Sequence, residues 1–169
     1  MAVSTGSYLQ TMHDATEATG RHAMNSDFAF EIVGHEGSWL MTKQAPWAVL
    51  TAGEPAEAPM PMGGVTWVGT QAKTNQQGAI ALHETETGMA DDLLLKLLIA
   101  GGKFDAIIYE GTPDRFVRAK KYKGCYLVAE PVDRDWENRT QPMALTGTLF
   151  YNYFGEDIQG NVGSLIGEQ

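Results

Sequence analysis

Apolar and polar positions alternate strictly over Asp27 to Val33, where Phe28, Phe30 and Ile32 fall on one side. That spacing predicts a half-buried strand. Val65 to Thr70 and Gly78 to Glu84 read as two further strands, with Asn75-Gln76-Gln77-Gly78 between them as a hairpin connection. Phe104 to Glu110 is dense in β-branched and aromatic residues, and Gly111-Thr112-Pro113-Asp114 then turns the chain. Arg115 to Lys123 reads as a strand that Gly124 to Ala129 continues or pairs with. Met143 to Phe154 is the longest strand candidate. Met143, Leu145, Leu149 and Tyr151 form one of its faces; Thr146, Thr148 and Asn152 form the other, interrupted by Phe150.

One stretch has a different period. Residues 88 to 100, Gly-Met-Ala-Asp-Asp-Leu-Leu-Leu-Lys-Leu-Leu-Ile-Ala, predict a helix that Gly101-Gly102 stops. Asp91 and Asp92 occupy its first turn, where carboxylates favour the helix dipole, and Asp92 and Lys96 are spaced to pair. The rest of its circumference is apolar, which predicts burial on most sides. Leu94 and Leu97 are therefore expected in part at a contact with another subunit. At about 20 Å the helix is too short to span a bilayer.

Residues 1 to 26 are polar and read as an N-terminal arm. Residues 51 to 64 carry Pro55, Pro59 and Pro61 and read as a Pro-rich loop. Its Met60 and Met62 are apolar side chains in a solvated segment and point to a contact with another copy. Residues 156 to 169 are Gly-rich and read as a C-terminal tail. What remains, 27 to 155, gives about seven or eight strands and one helix by the sequence reading. The expected fold is mainly β: an antiparallel sandwich or barrel with one flanking helix.

Length and composition agree with one soluble domain: 169 residues, 43% hydrophobic and 20% charged, with a net charge of −9. So acidic a chain repels nucleic acid. The start lacks the basic and apolar runs of a signal peptide, and the lone Cys125 forms no internal disulfide. His83-Glu84-Thr85-Glu86 lacks the second histidine of a zinc helix, and Asp133, Asp135 and Glu137 lack the glycine and glutamate that complete a calcium loop. No phosphate loop, nucleophile elbow or paired-cysteine motif occurs, so no catalytic, cofactor or metal site is expected. Residues 114 to 123 hold Arg115, Arg118, Lys120, Lys121 and Lys123 against Asp114, a net +4 that leaves −13 elsewhere. Arg118, Lys120 and Lys121 are expected to meet acidic surface on a neighbouring copy.

The order of these features resembles the tail tube proteins of contractile-tailed bacteriophages, relatives of the type VI secretion tube protein. The carriers are Phe28-Ala29-Phe30-Glu31-Ile32-Val33, the helix after His83-Glu84-Thr85-Glu86-Thr87-Gly88, and Pro142 to Tyr153. The resemblance implies a structural virion protein, not an enzyme, made in the host cytoplasm and located in the virion tail. It implies hexameric rings stacked into a tube, sheath and baseplate proteins as partners, no membrane, and DNA passing without specific binding. A repelling bore would then use some of Glu31, Glu84, Glu86 and Glu110, with small polar faces such as Thr146 and Thr148. Two other readings stay open: a baseplate or tail-terminator ring protein with the same domain, and a monomeric ligand-binding barrel or enzyme.

Overall fold

The computed structural model describes residues 5–166. The body is one antiparallel sheet in the order β1-β8-β9-β10-β7-β2, with a seventh strand, β11, on β9. These are β1 (Ala29–Ile32), β2 (Thr42–Gln44), β7 (Asn75–His83), β8 (Phe104–Gly111), β9 (Phe116–Ala129), β10 (Ala144–Asn152) and β11 (Asp157–Gln159). The sheet curls until its end strands meet. Thr42 Oγ1 donates to the Phe30 carbonyl at 3.5 Å, and Ser38 Oγ accepts from the Ile32 amide at 2.9 Å. The result is the mainly β sandwich or barrel that the alternation predicts.

The centre is filled by side chains. Phe30, Ile32, Ile108, Tyr122, Cys125 and Leu149 are fully buried. Alternation explains the choice: β10 turns Leu145, Leu149 and Tyr151 inward and leaves Thr146 and Phe150 outside. Tyr122 stacks on Tyr151 at 4.5 Å between ring centres. Its hydroxyl donates to the Pro46 carbonyl at 2.6 Å and accepts from the Ala48 amide at 2.9 Å. One phenol thus ties the irregular 45–50 segment to the core.

The strand β9 continues past the point where a second strand could have begun. Gly124 adopts φ +60° there, and two residues of β8 (Phe104, Ala106) face a longer stretch of β9 (Cys125, Tyr122). A bulge at a left-handed glycine bends the strand without ending it. Its first half stays with β8 and its second half pairs with β10.

The helix α2 (Met89–Ile99) buries Ala90, Leu93 and Leu97, the three-and-four spacing of one helical face. Leu97 therefore packs in the chain's own core, which corrects its expected role at a subunit contact. Leu94 is half-buried, and Leu95, Leu98 and Ile99 are exposed. The predicted Asp92–Lys96 pair forms at 3.1 Å.

Other expectations change more. Residues 75 to 78 are not a hairpin connection but the start of β7, paired through Asn75 with Asn152 of β10. The arm contains a second helix, α1 (Gly6–Ala18), capped by Thr5 and burying no residue. The 51–64 loop is half of a β-ribbon, in which β3 (Thr51–Ala52) pairs with β6 (Ala72–Lys73), and β4 (Ala56–Pro59) with β5 (Val65–Val68). The tail is partly structured, as β11. Residues 1–4 and 167–169 of arm and tail lie outside the described residues.

Two outcomes test this core. Tyr122→Phe leaves the buried Ala48 amide without its acceptor and should cost about 1–3 kcal/mol in chemical denaturation. Burial pushes the Cys125 thiol up to about 12, and burial followed by the Asp157 hydrogen bond pushes Tyr153 up to about 12. The native state holds protons that the unfolded chain releases near 9 for the thiol and 10 for the phenol. Their contribution is complete below pH 9 and is lost as pH rises toward 12. Stability should fall over that window, and Cys125 should resist a thiol reagent at pH 8 until the protein unfolds.

Candidate assembly surface

The ribbon of residues 51–73 stands away from the body. Its root is closed by the β3–β6 pair, by the Gly53 amide on the Gln71 carbonyl at 2.9 Å, and by Thr70 Oγ1 on the Glu54 carbonyl at 2.7 Å. From there β4 and β5 run in register, Glu57 opposite Trp67 and Pro59 opposite Val65. The Met60 amide closes the tip on the Gly64 carbonyl at 2.7 Å. A reach of up to ~35 Å follows from the rise per residue.

No residue of the ribbon is buried, yet it is rich in apolar side chains. Met60, Val65, Trp67 and Val68 are exposed, and Met62 is wholly so. Met62 also holds φ +67°, a conformation that costs a non-glycine residue energy and is kept only where the surroundings require it. A two-stranded ribbon with no core is marginal in water. An apolar tip on such a ribbon is the candidate contact surface of this chain. Met60 and Met62 thus sit at the tip, and Trp67 and Val65 join them. Their alternation with Thr66 was the available signal.

Two further apolar faces lack partners within the chain. Leu95, Leu98 and Ile99 line the outer side of α2, and Tyr8, Leu9 and Met12 lie on α1. A 13-residue helix with no buried residue draws little support from the body.

The basic strand is arranged differently from expectation. Arg118 Nε bonds Glu110 Oε2 at 2.6 Å, and its guanidinium lies 5.1 Å from the Trp47 ring centre. Lys120 Nζ donates to the Ala48 carbonyl at 2.6 Å and lies over Trp47 and Tyr153, and burial pushes its pKa down. Both cations are engaged within the chain, on the side of β9 that Tyr122 shares, with Arg118 still half exposed. Lys121 lies on the opposite side, across from Ile107.

The carboxylates expected in a bore do not gather on one face. Glu84 accepts the Thr85 and Ala90 amides on one oxygen, at 2.9 and 3.0 Å, and the Asp91 amide on the other, at 3.0 Å. It caps α2. Burial raises its pKa, but these three donors outweigh burial and hold the carboxyl below the usual range. Glu110 is held by Arg118 and is largely covered. Glu31 lies half-buried on β1, its pKa raised by burial and then by Glu36 and Asp114. Glu86 is exposed in the turn before α2. Thr146 and Thr148 do share a face, on the outside of β10, but Phe150 and the adjacent Tyr126 of β9 share it too.

No family model matches the chain, and no curated protein matches it. Solved structures do. The fold is one found in contractile injection machines. A chain of the anti-feeding prophage cap, the tube-terminating cap, aligns with TM-score 0.53 at 10% identity, over 79% of this chain and 89% of that one. A chain of the six-fold symmetrised anti-feeding prophage baseplate aligns with TM-score 0.53 at 12% identity, over 85% and 99%. A chain of the sheath/tube terminator of an extracellular contractile injection system, PVC, aligns with TM-score 0.51 at 10% identity, over 82% and 96%. At these identities the likeness is one of fold.

Among the described residues no three His, Cys, Asp or Glu side chains gather as a metal cage. The volume a ligand-binding barrel keeps open is occupied by Phe30, Ile108, Tyr122 and Leu149. No described helix is long and apolar enough to cross a membrane.

The capping role of Glu84 is testable. Glu84→Ala should destabilise the fold by about 1 kcal/mol in denaturant unfolding, and Glu86→Ala by much less. Because the folded pKa is lowered, the Glu84 contribution is present above about pH 4.5 and is lost as pH falls through the folded value. The Glu84→Ala difference should therefore shrink in acid.

Proposed function

We propose that this chain is a structural, ring-forming subunit of a contractile injection or phage-tail-like machine, of the cap, terminator or baseplate kind. The observation that carries the proposal is the exposed apolar ribbon 51–73 on a fold that the cap, terminator and baseplate chains share over most of their length. Around a ring, each ribbon would lay Met60, Met62, Val65 and Trp67 on the next copy. Such a head-to-tail contact closes when the rotation per subunit divides the circle. Six copies are the natural count, by analogy with the six-fold baseplate. Sheath, tube or baseplate proteins would be the neighbours above and below, and the particle tail its location.

A stacked tail tube is the second reading. The apolar faces of α1 and α2 favour it, since they offer contacts beyond those that one ring needs. Passage of DNA belongs to that reading. The scattered carboxylates mean that repulsion of DNA would rest on net charge more than on a dedicated acidic bore.

Electron microscopy of the purified chain separates the two. Single closed rings are expected; long tubes would favour stacking, and a chain that stays monomeric at high concentration would remove both. Met62→Asp combined with Trp67→Asp should abolish rings while moving the monomer's unfolding free energy by less than about 0.5 kcal/mol, as exposed positions do. Rings that survive both charges would show that the ribbon is not the contact.

A further inference from the structure

Strand β10 leaves the sheet after Asn152, turns over residues 153–156, and returns along the free edge of β9. There Asp157, Ile158 and Gln159 sit opposite Lys120, Ala119 and Arg118. The Lys121 amide donates to the Glu156 carbonyl at 3.0 Å, and the Gly160 and Asn161 amides donate to the Val117 and Phe116 carbonyls, each at 3.1 Å. The Asn161 side chain adds two bonds, accepting from the Phe116 amide at 3.1 Å and donating to the Asp114 carbonyl at 2.6 Å. Lys123 pairs with Glu156 at 3.3 Å, and the Tyr153 hydroxyl bonds Asp157. At Gly160 a Cβ would lie 2.1 Å from the Val117 carbonyl oxygen, so no larger residue fits. The segment is matched to this edge.

Little of that match is apolar. Ile158 is half-buried, and no residue from 154 to 161 belongs to the core clusters. The strand is held by backbone and polar bonds, which another copy of the same edge would supply in full. A turn connects it to β10: Gly155 has φ +79°, and Phe154 beside it is 60% exposed.

We propose that residues 155–161 are an exchangeable strand, which in an assembly pairs with β9 of a second copy of this chain. The occupant is the same segment because the edge is complementary to it in detail: Lys120 and Lys123 face Asp157 and Glu156, bare carbonyls face Gly160, and three backbone atoms face Asn161. Exchange keeps every one of these bonds, so the balance rests on the turn and on concentration. Opening the turn at Gly155 relieves nothing in the wild-type chain, but covering Phe154 at the junction favours the exchanged form. The inference needs a second copy, not any particular machine.

Two copies, one Arg118→Cys and one Gln159→Cys, are mixed unfolded, refolded, assembled and oxidised. A disulfide between copies is expected in the assembled fraction, and an internal one in monomers of a chain carrying both substitutions. Assemblies without the cross-copy disulfide, with the internal one intact, overturn exchange and leave the assembly reading standing. Gly155→Val provides a check that leaves the β9 edge intact. A β-branched residue resists the left-handed turn, so the monomer-to-assembly midpoint should fall about tenfold. An unchanged or higher midpoint overturns the proposal.

Discussion

A long strand must find partners for every backbone donor and acceptor along both edges, and β9 is the longest strand here. It meets that demand with three partner strands. On one side β8 accompanies it from Phe116 to Cys125. On the other, β10 covers Lys123 to Ala129, and β11 with its flanks covers Phe116 to Lys121. The bend at Gly124 lets one strand serve both halves of the curled sheet. Everything else follows from that sharing: the core lies in the concavity of the bend, Tyr122 sits at its centre, and the tail is needed because β10 departs too early.

The cations of β9 belong to the same constraint. Residues 118, 120 and 122 point to one side and 121 to the other. Lys120 and the half-exposed Arg118, on the Tyr122 side of the strand, need oxygen atoms and ring faces. They find them in Glu110, the Ala48 carbonyl, Trp47 and Tyr153. Two members of the charge cluster, Arg118 and Lys120, thus act as struts within the chain. The exposed apolar side chains lie elsewhere, on the ribbon, on α2 and on α1.

How much was legible depended on whether the information was carried by side-chain pattern or by backbone pairing. The strands β1, β8 and β10 and the helix α2 announce themselves, because a half-buried strand or helix must repeat its apolar residues at its own period. The start of β7 did not. Asn75, Gln76 and Gln77 have turn-like chemistry and become strand because β10 is already there to pair with them, and Gln76 reaches the Val49 carbonyl at 2.8 Å. β11 was hidden for the same reason, since its affinity for β9 is written in main-chain bonds and in one missing Cβ. The sequence offers Glu84 as a bore carboxylate and hides its cap, which reaches across a turn to Ala90, further than the capping box that sequence patterns describe. The side of β9 that Arg118 and Lys120 share with Tyr122, by contrast, is legible in their two-residue spacing.

The methionines of the ribbon tip show why exposure and strain together say more than either alone. A single exposed apolar residue is ordinary on a protein surface. Met62 adds a left-handed backbone that glycine, present at the next two positions, would adopt without cost. The tip therefore keeps a large, flexible, polarisable side chain where local folding favours none. Local structure gains nothing from this arrangement. In the proposed ring a partner surface would gain an adaptable apolar contact at the end of a lever fixed at its root, and methionine is the side chain that accommodates an irregular surface with the least demand on its shape.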